Sequence, residues 1–355
     1  MDYFNEHWRL AEWLSSSARR DPLIAEDASK RSRLTFLRDH AQVPSVTTVQ
    51  FPYREILAWS TRVAEFAEAC GDTPYALRLT PLTDDPALRE RGKSVRELIG
   101  WARGLQVPMD TYECVFEQHV DSKRSAIFVC TENGVWGEYH EGSLLALNRG
   151  AESDDVIQFS VPWRNATSPL PDLVQRALKY LDIPDKGVKK LLEDEYDSVF
   201  RSNHLLGYFE VVQDSSGALW FVDYNRLLIA EPPGSLLDDR SAAGLSLRGR
   251  TGARGTGRGV VLHAPGTGVR AIPNGTVLIA PATRPELIGM MASSRAVVTE
   301  VGGILSHAAI ACRELGIPCV VGVKRAVSLL AEGTEVIVNA DAGEINVLQG
   351  GAVSR

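Results

Sequence analysis

Between residues 249 and 259 the chain reads Gly249-Arg250-Thr251-Gly252-Ala253-Arg254-Gly255-Thr256-Gly257-Arg258-Gly259, a run without one large apolar side chain. Glycine loses more backbone freedom on ordering than any other residue, and arginine resists burial, so the run suits the middle of a continuous core poorly. It closes a stretch that opens with Pro232-Pro233-Gly234-Ser235. The chain therefore divides there, into residues 1–231 as one unit, 232–258 as a flexible connector and 259–355 as a smaller second unit. At 355 residues, with 44% hydrophobic content and 23% charged, the sequence can fill two cores and is not intrinsically disordered.

A formal net charge of −7 gives no overall attraction to nucleic acid or to an acidic membrane surface. No stretch approaches the 18 or so uninterrupted apolar residues that a membrane helix needs, and the N-terminus lacks the pattern of a secretory signal. Five cysteines, an odd number without a CxxC pair, fit a reducing compartment. A cytoplasmic location is the expectation.

Both units read as mixed α/β and α+β. Helical spacing at Trp8, Ala11, Trp13 and Leu14 precedes an extended run near Val46-Thr47-Thr48-Val49, a helix over residues 56–69 and a strand at Tyr75-Ala76-Leu77-Arg78-Leu79. Short β-like runs beginning at Cys114, Ala126, Gly134 and Val156 predict one antiparallel sheet. Helices follow over residues 172–181 and 188–200. The runs 207–212 and 218–224 flank Asp214-Ser215-Ser216-Gly217, which predicts a hairpin. Beyond residue 259, strands alternate with helices at 285–292 and 306–315, an α/β pattern.

The segment Thr299-Glu300-Val301-Gly302-Gly303-Ile304-Leu305-Ser306-His307 carries the most chemistry. Two glycines precede a helix whose predicted N-cap is Ser306, which puts His307 in the first turn. Free backbone N–H groups and the positive end of the helix dipole favour an anion there. A neutral imidazole is a good nucleophile near pH 7, and glycines leave room for a bulky phosphate donor. The same residues also fit a capping histidine at a tight turn.

From Gly275 through Val297-Val298-Thr299-Glu300 to Ser306-His307-Ala308-Ala309-Ile310-Ala311-Cys312-Arg313-Glu314-Leu315-Gly316-Ile317-Pro318-Cys319, and on to Asn339-Ala340-Asp341-Ala342-Gly343-Glu344-Ile345, the chain resembles the phosphohistidine swivelling domain of phosphoenolpyruvate-utilising enzymes. The resemblance implies that His307 carries a phosphoryl group, that Thr299 hydrogen-bonds to it, and that Gly302, Gly303 and Ser306 shape the exposing turn. Ile304 and Leu305 depart from the pattern, standing where several relatives carry a polar or basic residue.

A carrier needs a donor. If residues 207–212 and 218–225 pair, Glu210 faces Asp223 and Asn225, and two carboxylates with an amide oxygen suit Mg²⁺ holding a polyphosphate. A solvated outer face is the plainer reading of the same acidic residues. The hairpin also resembles the closing strands of an ATP-grasp domain. That likeness implies ATP as donor and Mg²⁺ as cofactor, with Lys30 or Arg31, Arg78 and Arg226 on the phosphates and Glu117 on the adenine side.

The resemblances imply a dikinase-type phosphotransferase moving the β-phosphoryl of ATP through His307 to a small-molecule acceptor. The sequence offers no pyruvate-binding barrel, so the acceptor is expected between the two units, on an oligomeric neighbour of the same chain or on a separate protein. A carboxylate–amine ligase with a vestigial histidine domain, and a phosphocarrier fed by a partner enzyme, are the competing readings.

Overall fold

The computed structural model describes residues 20–82, 88–148, 156–163, 170–228, 246–266 and 268–348. The helical spacing at Trp8, Ala11, Trp13 and Leu14 and the loop tip at 83–87 lie outside them, as does the first part of the connector. The chain opens with α1 (Arg20–Ala41), followed by β1 (Thr48–Pro52), α2 (Tyr53–Ala58), α3 (Thr61–Cys70), β2 (Pro74–Pro81), β3 (Leu88–Ser94), α4 (Val95–Arg103) and β4 (Tyr112–Gln118). Residues 56–69 were expected to form one helix. They form two, because Trp59 takes a left-handed conformation (φ 51°) and Ser60 caps α3 by accepting from Val63 N.

The strands β1, β4, β2 and β3 form an antiparallel sheet in that order. The run at Cys114 therefore belongs to this sheet and not to the one that follows. Its apolar face packs on α2 to α4 around Phe51, Tyr53, Leu77 and Phe116.

A second sheet holds β5 (Ser122–Cys130), β6 (Gly134–His140), β7 (Val156–Pro162), β10 (Gly207–Asp214) and β11 (Leu219–Asn225) in the order β11-β10-β5-β6-β7. Between them lie α5 (Leu144–Asn148), α6 (Asp172–Leu181), α7 (Lys186–Tyr196) and a small pair, β8 (Phe200–Arg201) and β9 (His204–Leu205). Phe128, Phe209, Phe221 and Tyr224 build its core, with Phe209 stacked on Tyr224 at 4.9 Å and 4°.

An eight-stranded sheet contains β12 (Ser246–Arg248), β13 (Arg250–Ala253), β14 (Thr256–His263), β15 (Thr276–Ala280), β16 (Ala296–Thr299), β17 (Cys319–Val321), β18 (Glu335–Asn339) and β19 (Glu344–Val347). Strands β14 to β17 run parallel, and α8 (Ile288–Ala292), α9 (His307–Leu315) and α10 (Ala326–Leu329) pack on them. The connector reading is corrected here. Residues 246–248, 250–253 and 256–258 lie in strands, and the glycines there serve close approach instead of looseness. A Cβ on Gly257 would sit 2.2 Å from Arg295 O, and one on Gly259 2.1 Å from Gly275 O.

One buried ionic knot ties α1 to the second sheet. Glu26, fully buried, accepts from Arg33 Nη2 at 2.7 Å and from Arg226 Nε at 2.8 Å, while Arg33 also reaches Tyr224 O at 3.2 Å. Removing the shared carboxylate would leave a buried guanidinium uncompensated. Glu26→Ala is therefore expected to lower stability by about 3–5 kcal/mol, read as a drop in the urea midpoint of unfolding.

Candidate functional site

Helix α9 begins at His307, with Ser306 as its N-cap (φ −65°, ψ 156°) and Ser306 Oγ accepting from Ala309 N at 3.4 Å. Gly302 has φ +131°, a conformation that side-chain-bearing residues rarely adopt. The turn is closed by a bond from Ser306 N to Gly303 O at 3.0 Å. Two arginines hold its other carbonyls. Arg250 Nη2 donates to Gly302 O at 3.1 Å, and Arg313 Nη1 donates to Ile304 O at 2.8 Å. The loop is thus rigid behind the exposed His307 ring. Thr299 sits fully buried at the end of β16, and its hydroxyl makes no hydrogen bond. The bond expected from it to His307 is not formed in this arrangement.

His307 and Ile310 line a cleft of about 490 Å³ whose other walls come from the first and second sheets. Strands β10 and β11 pair with Glu210 opposite Asp223 and Tyr208 opposite Asn225, so the hairpin brings the acidic residues to one wall. A register shift follows Glu210, where Val211 pairs with Phe221 and Val222 is the extra residue. That bulge turns both Val222 and Asp223 toward the cleft. Tyr208 Oη donates to Glu210 Oε1 at 2.6 Å. Burial, with Glu210 beside it, pushes the phenol well above its ordinary pKa, which keeps it a donor that orients the carboxylate.

The facing wall is cationic. Arg78 on β2 lies directly across from Arg89 on β3, and Arg89, Arg91, Glu117 and His119 line the same space. Like charges at directly opposed positions repel unless an anion lies between them. Burial first, and the neighbouring Arg78 second, lower the Arg89 guanidinium to about 10, and its Nε has no hydrogen-bond partner. It stays cationic at neutral pH. Sequence reasoning named Arg78 and Glu117 but missed Arg89 and Arg91. Their i, i+2 spacing on a strand was the available signal, but the polar run 88–94 carries no apolar alternation to mark it as a strand.

Two other expectations change. Arg226 is held by Glu26 and by Asp197 Oδ2 at 3.2 Å, and it is not among the cleft-lining residues. Asn225 lines the cleft, but its Oδ1 accepts from Leu227 N at 2.9 Å and Leu228 N at 3.1 Å, an Asx turn that occupies the oxygen expected for a metal. Lys30 lies on α1, with its side chain outside the described residues. Among the described residues no group of three or more His, Cys, Asp or Glu suits a metal ion. Two opposed carboxylates, Glu210 and Asp223, nevertheless fit Mg²⁺, which is ordinarily bound by one or two carboxylates together with substrate phosphates.

Comparison with known proteins agrees with the smaller unit. Residues 272–343 match the family described as PEP-utilising enzyme, mobile domain. Phosphoenolpyruvate synthase of Pyrococcus furiosus is 39% identical over 98 residues, 27% of this chain and 12% of that protein. Rifampicin phosphotransferase of Bacillus cereus is 39% identical over 71 residues, 20% of this chain and 8% of that protein. The matched stretches thus span a small fraction of these relatives' length. Among solved structures, Enzyme I in solution is 36% identical over 20% of this chain and 30% of that one, with a TM-score of 0.19. D-cycloserine synthetase is 15% identical over 63% of this chain and 75% of that one, with a TM-score of 0.33. Superpositions that loose bear on neither fold nor chemistry. Among the described residues no helix is long and apolar enough to cross a membrane.

The cationic wall makes a prediction that needs no nucleotide. Inorganic tripolyphosphate should bind the cleft, and Arg89→Ala should weaken it roughly 10- to 100-fold, the worth of one hydrogen bond to a charged group. Isothermal titration calorimetry at neutral pH measures it.

Proposed function

We propose, from the premise that residues 272–343 belong to the mobile-domain family of PEP-utilising enzymes, that this chain is an ATP-dependent phosphotransferase in which His307 takes a phosphoryl group from nucleotide in the cleft and delivers it to a small molecule. One observation carries the reading. His307 lines the same cleft as the carboxylates of Glu210 and Asp223 and the guanidinium groups of Arg78, Arg89 and Arg91. A nucleophile, a cationic bank and a pair of hard-oxygen ligands on three walls of one space are the parts that phosphoryl transfer needs, since its catalysis is positioning and charge neutralisation.

ATP lies with its polyphosphate between the two sheets. Arg78, Arg89 and Arg91 offset its negative charge, and Glu210, oriented by Tyr208, faces it beside Asp223. When bound by those carboxylates, Mg²⁺ neutralises charge on the phosphates. An imidazole nitrogen of His307 attacks the β-phosphorus, forming a P–N bond, and AMP departs with the oxygen that bridged the α- and β-phosphorus. Water then removes the γ-phosphate as inorganic phosphate, leaving one phosphoryl group on the ring. The acceptor's nucleophile takes that group in a second displacement, after the histidine domain has left the cleft. The rigid turn behind His307 supports the first step by holding the ring near attack geometry.

ATP labelled at the β position should give acid-labile, base-stable label on the wild-type chain, with AMP and phosphate as products and no label on His307→Ala. An unlabelled wild-type chain under conditions where calorimetry shows ATP bound would overturn the reading. ADP as product, with turnover surviving His307→Ala, would favour a ligase acting through an acyl phosphate.

A further inference from the structure

The turn that presents His307 is gripped from outside its own domain. Glu138 lies on β6 of the second sheet and is only 1% exposed. Its Oε1 accepts from Arg250 Nη1 at 2.9 Å and from Ile304 N at 3.2 Å, both in the histidine domain, and from Gln158 Nε2 at 3.3 Å in its own sheet. Arg250 in turn holds Gly302 O. The carboxylate presses so closely on the turn that a Cβ on Gly303 would sit 2.3 Å from Glu138 Oε2. Gly303 therefore admits Glu138, not only a phosphate donor.

We propose that Glu138 and Arg250 form a latch that seats the histidine domain on the nucleotide cleft and sets the position of His307 there. Both are positioning residues, since they act on His307 through the backbone at Gly302 and Ile304. The inference rests on the relay reading for its catalytic consequence but not for its structural one.

Its chemistry suits a contact that must open and reform. Paired, the buried Glu138 carboxylate is hydrogen-bonded to the half-buried Arg250, and a buried carboxylate left without its partner is strongly disfavoured, so a partly seated domain is penalised. Fully separated, both groups regain water, so the undocked state carries no stranded charge. The pair thus favours two positions over intermediate ones, as a swinging carrier requires. An apolar contact alone would tolerate sliding.

The test uses the full chain in a Cys70→Ser background with spin labels on Ile157→Cys and Val269→Cys, both exposed positions on opposite sides of the interface. Electron–electron resonance should give one dominant narrow distance distribution for the parent and a broadened, shifted one for Glu138→Gln and Arg250→Gln. In Glu138→Gln, the rate of His307 labelling from ATP should fall on the order of 100-fold, the scale of a 1 Å misplacement of a reacting group. Labelling of His307 by phosphoramidate, a small donor that needs no cleft, should be unchanged. Distances identical to the parent's in both variants would overturn the latch. So would a parallel loss of phosphoramidate labelling, which would mean damage to the histidine turn itself. If the parent takes no label from ATP yet the distances shift as described, the relay reading falls and the latch stands.

Discussion

A single carboxylate stands at the meeting point of the two halves of this molecule. Glu138 is buried in the N-terminal sheet, yet most of its hydrogen bonds reach across to Arg250 and to the backbone ahead of His307. Around it an apolar cluster joins Ile127, Val129, Trp136 and Tyr208 on one side to Ile304, Leu305, Ala308 and Ile310 on the other. Arg313 extends the seam, its guanidinium 5.9 Å from the centre of the Trp136 ring. Ile304 and Leu305 are buried in this seam, which accounts for their apolar character.

That contact explains why a histidine far along the chain faces ligands contributed by residues 78 to 223. Each half supplies an incomplete site. The N-terminal half has charge on two walls of a cleft, and the one imidazole among its described lining residues is His119, which burial, then Arg91, hold below its usual pKa. The C-terminal half contributes His307, exposed on a braced turn, and Ile310. Across the seam these residues line one space, the arrangement that the proposed relay needs.

Much of this was legible because it is local. Ser306 caps α9 as its place before His307 implied, and Gly302 and Gly303 stand in the turn ahead of it, since caps and tight turns depend on a few consecutive residues. The hairpin that sets Glu210 against Asp223 follows from its Asp-Ser-Ser-Gly turn. What escaped is long-range. Glu138 meets Arg250 across 112 residues, and Arg226 is drawn to Glu26 across 200, and no periodicity reports such a pairing. The glycines of residues 249–259 misled for another reason. Looseness and tight strand packing demand the same missing side chain, and only the neighbours Arg295 and Gly275 tell the two apart.

The apolar composition of the seam also gives the docked state a thermal character. Burying Leu305, Ile310 and their partners is driven largely by water's entropy near room temperature, and that drive weakens on cooling. The cost of stripping water from Glu138 and Arg250 changes in the same sense, since charge hydration becomes less favourable as temperature rises. Both contributions therefore loosen the seam in the cold and tighten it with warming. The strength of this seam is in that respect set by solvent as much as by the groups that meet across it.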